Sequence, residues 1–284
     1  MKILIITNLE NECSIEDIWI ANSFIKDGNT VKLVNKYYNK QLEDEYDIFI
    51  KRYSWIEDID DFSVGAEESD YETRILGKDL PRINFDGKFD NQGKHYLSKL
   101  YKDGYPVVPT IIDPKEINKL EKSDTYLIKP VNGYASYGII ESSLKDIKNY
   151  WNKNYVIQPK LDFESEIQFY FIGNKFEFAQ IFTPKKLLSH ENAKFYTPAT
   201  NEIEIAKRFA LLNGENFNGV QRIDFLKYNN KLLLSELEDD SPYMAIEALS
   251  NEQREIFIND FKNMVYSYYY TFRKKNNSIK KLKR

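Results

Sequence analysis

The stretch Gly219-Val220-Gln221-Arg222-Ile223-Asp224-Phe225, followed by Leu232-Leu233-Leu234-Ser235-Glu236-Leu237-Glu238, decides how this chain is read. Two apolar strands flank a polar turn from Tyr228 to Lys231. Acids stand where a strand facing a core should be apolar. Unpaired charges there cost several kcal/mol, so Asp224, Glu236 and Glu238 require partners. Three carboxylates on one sheet face beside Arg222 make a hard, oxygen-rich site suited to Mg²⁺ and phosphate oxygens. Register decides whether they share that face. A two-residue turn at Asn229-Asn230 pairs Asp224 with Ser235 and sends Glu236 to the other face. A three-residue loop at Asn229, Asn230 and Lys231, or an equivalent bulge, pairs Asp224 with Glu236 and Arg222 with Glu238. The competing reading is an exposed acidic hairpin edge.

Upstream, Tyr126-Leu127-Ile128-Lys129-Pro130 reads as a strand ending in a lysine. The loop from Val131 to Gly138 follows, and its Gly133, Ala135, Ser136 and Gly138 let backbone N–H groups approach phosphate oxygens. Farther back, Lys94 opens an amphipathic segment to Tyr101, followed by Gly104-Tyr105-Pro106-Val107-Val108-Pro109-Thr110.

In this order the motifs resemble the ATP-grasp superfamily, with a glutathione-synthetase-like ATP-binding domain. Tyr155-Val156-Ile157-Gln158-Pro159 with Glu166, and Arg222-x-Asp224 with Glu236-x-Glu238, complete the match over roughly residues 84–250. The ending Glu236-Leu237-Glu238 with Ser241-Pro242-Tyr243 is similar to the branch that includes the cycloserine-biosynthesis ligase. Two departures stand out: Ser136 replaces a usual glycine, and Glu191-Asn192-Ala193-Lys194 replaces a glycine-rich stretch.

The resemblance implies an α/β N-terminal Rossmann-like (pre-ATP-grasp) domain over 1–83. An α+β ATP-grasp domain over 84–272 follows, with ATP between subdomains 84–157 and 158–272, and a basic tail over 273–284. It implies that Lys94 and Lys129 contact the α- and β-phosphates and that the loop with Gly133, Ser136 and Gly138 covers the triphosphate. Backbone groups of Gln158, Pro159, Lys160 and Leu161 would read adenine, and Glu166 the ribose. Asp224, Glu236 and Glu238 would hold two Mg²⁺ ions, for which Mn²⁺ can substitute. Arg222 and Lys185 (with Lys186) would act on the γ-phosphate or the transferred group, although a solvated loop equally explains the two lysines. Ser241 and Tyr243 fall on the substrate side. The implied reaction is ATP-dependent carboxylate–amine ligation of a small, amino-acid-like molecule through an acylphosphate, releasing ADP and phosphate. A small-molecule kinase and a non-catalytic ATP sensor are the alternatives.

Other features bound the class. At 284 residues with 42% hydrophobic and 30% charged content, the chain suits about two globular domains. No apolar run reaches the ~18 residues of a membrane helix, and Ile3-Leu4-Ile5-Ile6 is too short for a signal-peptide core. A single Cys13 excludes an internal disulfide framework and fits a reducing cytoplasm. Two histidines make no zinc cluster, and no Ser/His/Asp or Cys/His arrangement is recognisable. The net charge of −4 gives no nucleic-acid signal. The expected partners are therefore small-molecule acid and amine substrates, with a homodimer also open.

The start reads strand–helix–strand with parallel strands: Lys2 to Thr7, Ser14 to Lys26, Thr30 to Val34 and Asp47 to Lys51. Residues 56–80 read as a long acidic loop with a short helix. Helices are expected from Asp113, from Ser143 to Trp151, from Glu202 to Leu212 and from Glu252 to Phe272. A hairpin is expected around Gly173-Asn174. Arg52 and Trp55, delivered to the carboxyl end of a strand, suit a substrate carboxylate and a small organic group. Against this, Arg52 can instead pair with a nearby acid and Trp55 can pack at the domain junction.

Overall fold

The computed structural model describes residues 1–7, 14–35, 45–52, 80–90, 93–133, 138–183 and 193–282. Trp55, Ser136, Lys185, Lys186 and nearly all of the expected loop over 56–80 lie outside the described residues.

The first sheet is parallel, with strand order β2-β1-β3-β4: β1 is Lys2–Thr7, β2 Thr30–Asn35, β3 Ile48–Lys51 and β4 Arg82–Ile83. Ile3, Leu4 and Ile5 are all fully buried, because a parallel strand is covered on both faces and needs an unbroken apolar run. Helix α1 (Ser14–Lys26) turns Ile20, Ala21 and Phe24 to that sheet.

Three antiparallel strands make a second, smaller sheet, in the order β6-β5-β7: β5 is Tyr126–Pro130, β6 Ile140–Ser142 and β7 Tyr155–Pro159. The third sheet is antiparallel in the order β10-β9-β8-β11-β12. Here β8 is Ser165–Ile172, β9 Lys175–Phe182, β10 Lys194–Tyr196, β11 Val220–Tyr228 and β12 Lys231–Glu238. Its two faces carry different chemistry. Ile167, Phe169, Phe171, Ile223, Phe225 and Leu237 point into one core with α2 (His95–Lys102) and α4 (Thr200–Ala210). The alternate residues, among them Glu166, Gln168, Arg222 and Asp224, face the other way.

Some local expectations are corrected. The segment after Asp113 is a 3₁₀ turn, Pro114–Lys119, with Asp113 capping Lys115 N–H at 2.9 Å. The stretch from Ser143 forms only the short α3, Ile147–Tyr150. Helix α5 runs from Asn251 to Leu282, so its basic end continues the helix. Phe257, Ile258 and Phe261 of α5 share one core with Phe24 of α1 and with Tyr170 and Phe178, which joins the first and third sheets. Among the described residues no helix is long and apolar enough to cross a membrane.

The β11–β12 connection corrects the expected three-residue loop. Tyr228 pairs with Lys231, so the turn holds only Asn229 and Asn230, at φ 49° and 58°. Two left-handed residues define the tight hairpin turn whose twist matches the strands. The register then shifts: Phe225 pairs with Leu234, but Asp224 pairs with Glu236 and Arg222 with Glu238. Ser235 is the extra residue of a bulge, and its Oγ donates to the Asp224 carbonyl at 3.0 Å. The carboxylates thus align as the sequence suggests, through a bulge.

The turn is testable by substitution. Asn230→Val should cost about 1–2 kcal/mol, because a branched residue resists a left-handed backbone. Asn230→Gly should be neutral or stabilising by up to about 1 kcal/mol. Denaturant melts of both variants check the pair.

Candidate active site

Strand alternation and the bulge bring Asp224, Glu236 and Glu238 together, with one oxygen of each within 4.8 Å of the others. Asp224 is buried, at 4% side-chain exposure, whereas Glu236 and Glu238 open to solvent at 30% and 25%. Arg222 lies among them. Its Nε donates to Asp224 at 2.9 Å, and one terminal nitrogen donates to Asp224 at 2.8 Å and to Glu238. Lys94, at the start of α2, contacts Glu236 at 2.6 Å and donates to the Gly133 carbonyl. All three ligand atoms are hard oxygens, a donor set that suits Mg²⁺.

The electrostatics are those of a crowded site. Burial pushes Asp224 up against the pull of Arg222. Burial likewise pushes Glu238 up to about 8, again opposed by Arg222, with Asp224 and Glu236 repelling it. Burial is the largest influence on Glu236 and acts upward, but Lys94, Arg222 and Lys129 together hold that carboxyl below its ordinary value. Burial lowers Lys129, only partly offset by Glu236. Glu166 is pushed to about 7 by burial and then by the charge of Asp224. A divalent cation relieves the repulsion within such a set.

The remaining sequence-derived residues fall in different settings. Lys129 is on β5 of the small sheet, and the charge of Glu236 acts on it. Gly133 is buried, and Gly138 is exposed at φ 72°. Gln158 is buried with its amide donating to Thr110 Oγ1 at 2.9 Å. Pro159 closes β7 and pairs with Tyr126. The Lys160 N–H donates to the Thr125 carbonyl at 2.9 Å, and its ammonium pairs with Glu141 at 2.6 Å, so that N–H is spent within the fold. Leu161 follows, partly exposed. Ser241 and Tyr243 are half-buried, and the Tyr243 carbonyl accepts from Arg222 at 3.4 Å.

Arg52 requires a correction. It is 3% exposed, and its guanidinium donates to Asp17 at 2.8 Å, to Glu16 at 3.2 Å and to the Pro242 carbonyl at 2.9 Å. The fork expected to meet a substrate carboxylate holds two buried acids of α1. Glu16 in turn accepts the N–H groups of Met244 at 3.1 Å and Ile246 at 2.9 Å, which ties α1 to the segment after β12. Sequence reading missed Glu16 and Asp17; two adjacent acids in the first turn of a helix read as ordinary capping charges. It also missed Lys51, buried and paired with Asp240 at 2.7 Å.

No family model matches the sequence, and no curated protein does. Solved structures do. The D-cycloserine synthetase DcsG is 12% identical with a TM-score of 0.69, covering 92% of this chain and 100% of its own. The ATP-grasp ligase PsnB, complexed with minimal precursor, Mg and ADP, is 13% identical with a TM-score of 0.62, over 93% of this chain and 98% of its own. The D-alanine–D-alanine ligase from Bacillus anthracis, complexed with ATP, is 15% identical with a TM-score of 0.62, over 97% and 99%. At these identities the likeness establishes the fold, and the chain has the ATP-grasp fold.

The role of Arg52 can be separated from binding. Arg52→Leu strands Glu16 and Asp17 as buried charges and should cost roughly 3–5 kcal/mol of stability. Urea denaturation checks it: a variant as stable as the parent would return Arg52 to the candidates for substrate contact.

Proposed function

We propose that this chain is an ATP- and Mg²⁺-dependent carboxylate–amine ligase acting on an amino-acid-like small molecule. The observation that carries the reading is the convergence of Asp224, Glu236 and Glu238 on one point, with Lys94 reaching Glu236 from another element. The fold neighbours named above are ligases, and two were solved with ATP or with Mg and ADP. PsnB was solved with a precursor, so a peptide is the second substrate class to test.

In this reading residues 1–83 form a Rossmann-like substrate-side domain and residues 84–272 the ATP-binding domain, split into 84–157 and 158–272. Lys94 and Lys129 hold the α- and β-phosphates, and Gly133, Ser136 and Gly138 line the loop over them. Gln158, Pro159, Lys160 and Leu161 border the base, with the Lys160 N–H already engaged, and Glu166 accepts from the ribose. The three carboxylates hold two Mg²⁺ ions, or Mn²⁺ in their place. The metal, when bound, supplies charge neutralisation and orients the phosphate oxygens.

The substrate carboxylate oxygen attacks the γ-phosphorus, and the bond to the ADP oxygen breaks. The amine nitrogen then attacks the acyl carbon of the acylphosphate, phosphate leaves, and the nitrogen gives up a proton. Arg222, fixed by Asp224 and Glu238, offers its charge to the γ-phosphate or the departing phosphate, and Lys185 is assigned the same task. The protein supplies no covalent nucleophile; it contributes positioning and electrostatic stabilisation. Ser241 and Tyr243 are assigned to the substrate side.

Amino acids screened singly and in pairs with Mg·ATP should stimulate ADP release for at least one combination, and hydroxylamine should trap the acylphosphate as a hydroxamate. ADP release on a hydroxyl substrate without phosphate would instead indicate a kinase, and ATP binding with no turnover a sensor. Glu236→Gln should lower turnover at least about 100-fold. Lys129→Ala should weaken ATP binding by about 1.5–3 kcal/mol, read by calorimetry on the folded variant.

A further inference from the structure

A row of polar side chains crosses the third sheet at one register level. Glu236 pairs with Asp224, Asp224 with Gln168, and Gln168 with Gln180. Directly paired residues point to the same face, so the row leads from the acids to Gln180 on β9. With strands about 4.8 Å apart, Gln180 stands about 10 Å from Asp224.

The two glutamines differ in how they are satisfied. The Gln168 amide donates to Glu166 at 2.9 Å, and its oxygen accepts from the Tyr170 hydroxyl at 2.8 Å. Gln180 is fully buried and donates to the Ala245 carbonyl at 2.9 Å, while its Oε1 has no hydrogen-bond partner among the described residues. A carbonyl only accepts, so Ala245 fixes which end of the amide faces it and leaves the oxygen turned away. Ala245 is itself held: it adopts φ 51°, unusual for a residue with a Cβ, and Glu16 clamps the N–H groups on either side of it. A buried acceptor held this firmly without a donor is uncommon and calls for an explanation.

Resting on the ligase reading above, we propose that Gln180 is a specificity-determining residue whose Oε1 accepts an N–H from the amine nucleophile. The two substrates of such a ligase differ in hydrogen-bonding sense. The acid presents acceptor oxygens, which a lone acceptor repels. The attacking amine carries N–H donors and must be neutral to attack. An uncharged amide oxygen binds that amine without holding it as an ammonium, as a carboxylate would. Selection against molecules lacking the donor follows, because they leave Oε1 unpaired.

The test uses the full chain with Mg·ATP, the proteinogenic amino acids as acids and amines, and hydroxylamine as trap. In the parent, hydroxamate formation identifies the acid, and the amine is then chosen by turnover. Gln180→Met and Gln180→Leu, each first checked for a cooperative melt, should raise the amine KM about tenfold or more. The KM values for ATP and the acid should stay within about twofold in both variants. No hydroxamate from the parent with any acid would sink the ligase reading and this inference with it. Parent turnover with unaltered amine KM in both variants, or an equal loss for all three substrates, would overturn this inference alone.

Discussion

Buried charge sets the terms for the rest of this molecule. Glu236, Glu238 and Asp240 stand at alternate positions along one segment, and each has a cation from a different part of the chain. Lys94 meets Glu236, Arg222 meets Glu238, and Lys51 meets Asp240. Lys51 and Asp240 are both buried, so removing either leaves an uncompensated charge costing several kcal/mol, whereas the Glu236 and Glu238 pairs are partly open to solvent. The end of β12 must therefore draw together the start of α2, strand β11 and the end of β3. Arg52 with Glu16 and Asp17 repeats the device one layer away. The assembly that neutralises these charges also brings the three carboxylates together.

The bulge at Ser235 is the local feature that makes the arrangement work. A regular two-residue hairpin would oppose Asp224 with Ser235, and the acids would separate. One extra residue restores the pairing while Leu234 and Leu237 both stay in the core. The same step lets the tight Asn229-Asn230 turn keep a twist that matches the strands.

Much of this was legible in the sequence. Parallel strands at the start followed from the strand–helix–strand order, and the acidic hairpin followed from charges in otherwise apolar strands. The register was legible only as a requirement, since Ser235 carries no mark of a bulge. For Arg52 the sequence left substrate contact and pairing with an acid both open. Its position at a strand's carboxyl end suggested a ligand, but Glu16 and Asp17, some 35 residues earlier, take its donors. Gln180 was equally silent, because a glutamine in an alternating strand reads as a solvent-facing residue until its cross-strand partners are known. Helix lengths erred where short segments rely on neighbours: α3 covers one turn of the longer stretch expected.

The central claim is that Asp224, Glu236 and Glu238 form a divalent-cation site completed by ATP. Electron paramagnetic resonance of Mn²⁺ tests it directly. With ATP and excess protein, the account predicts a bound-Mn²⁺ spectrum distinct from that of Mn²⁺·ATP in buffer. Asp224→Asn in a folded protein should abolish that spectrum. A spectrum unchanged by the protein, or one that Asp224→Asn leaves intact, would contradict the account.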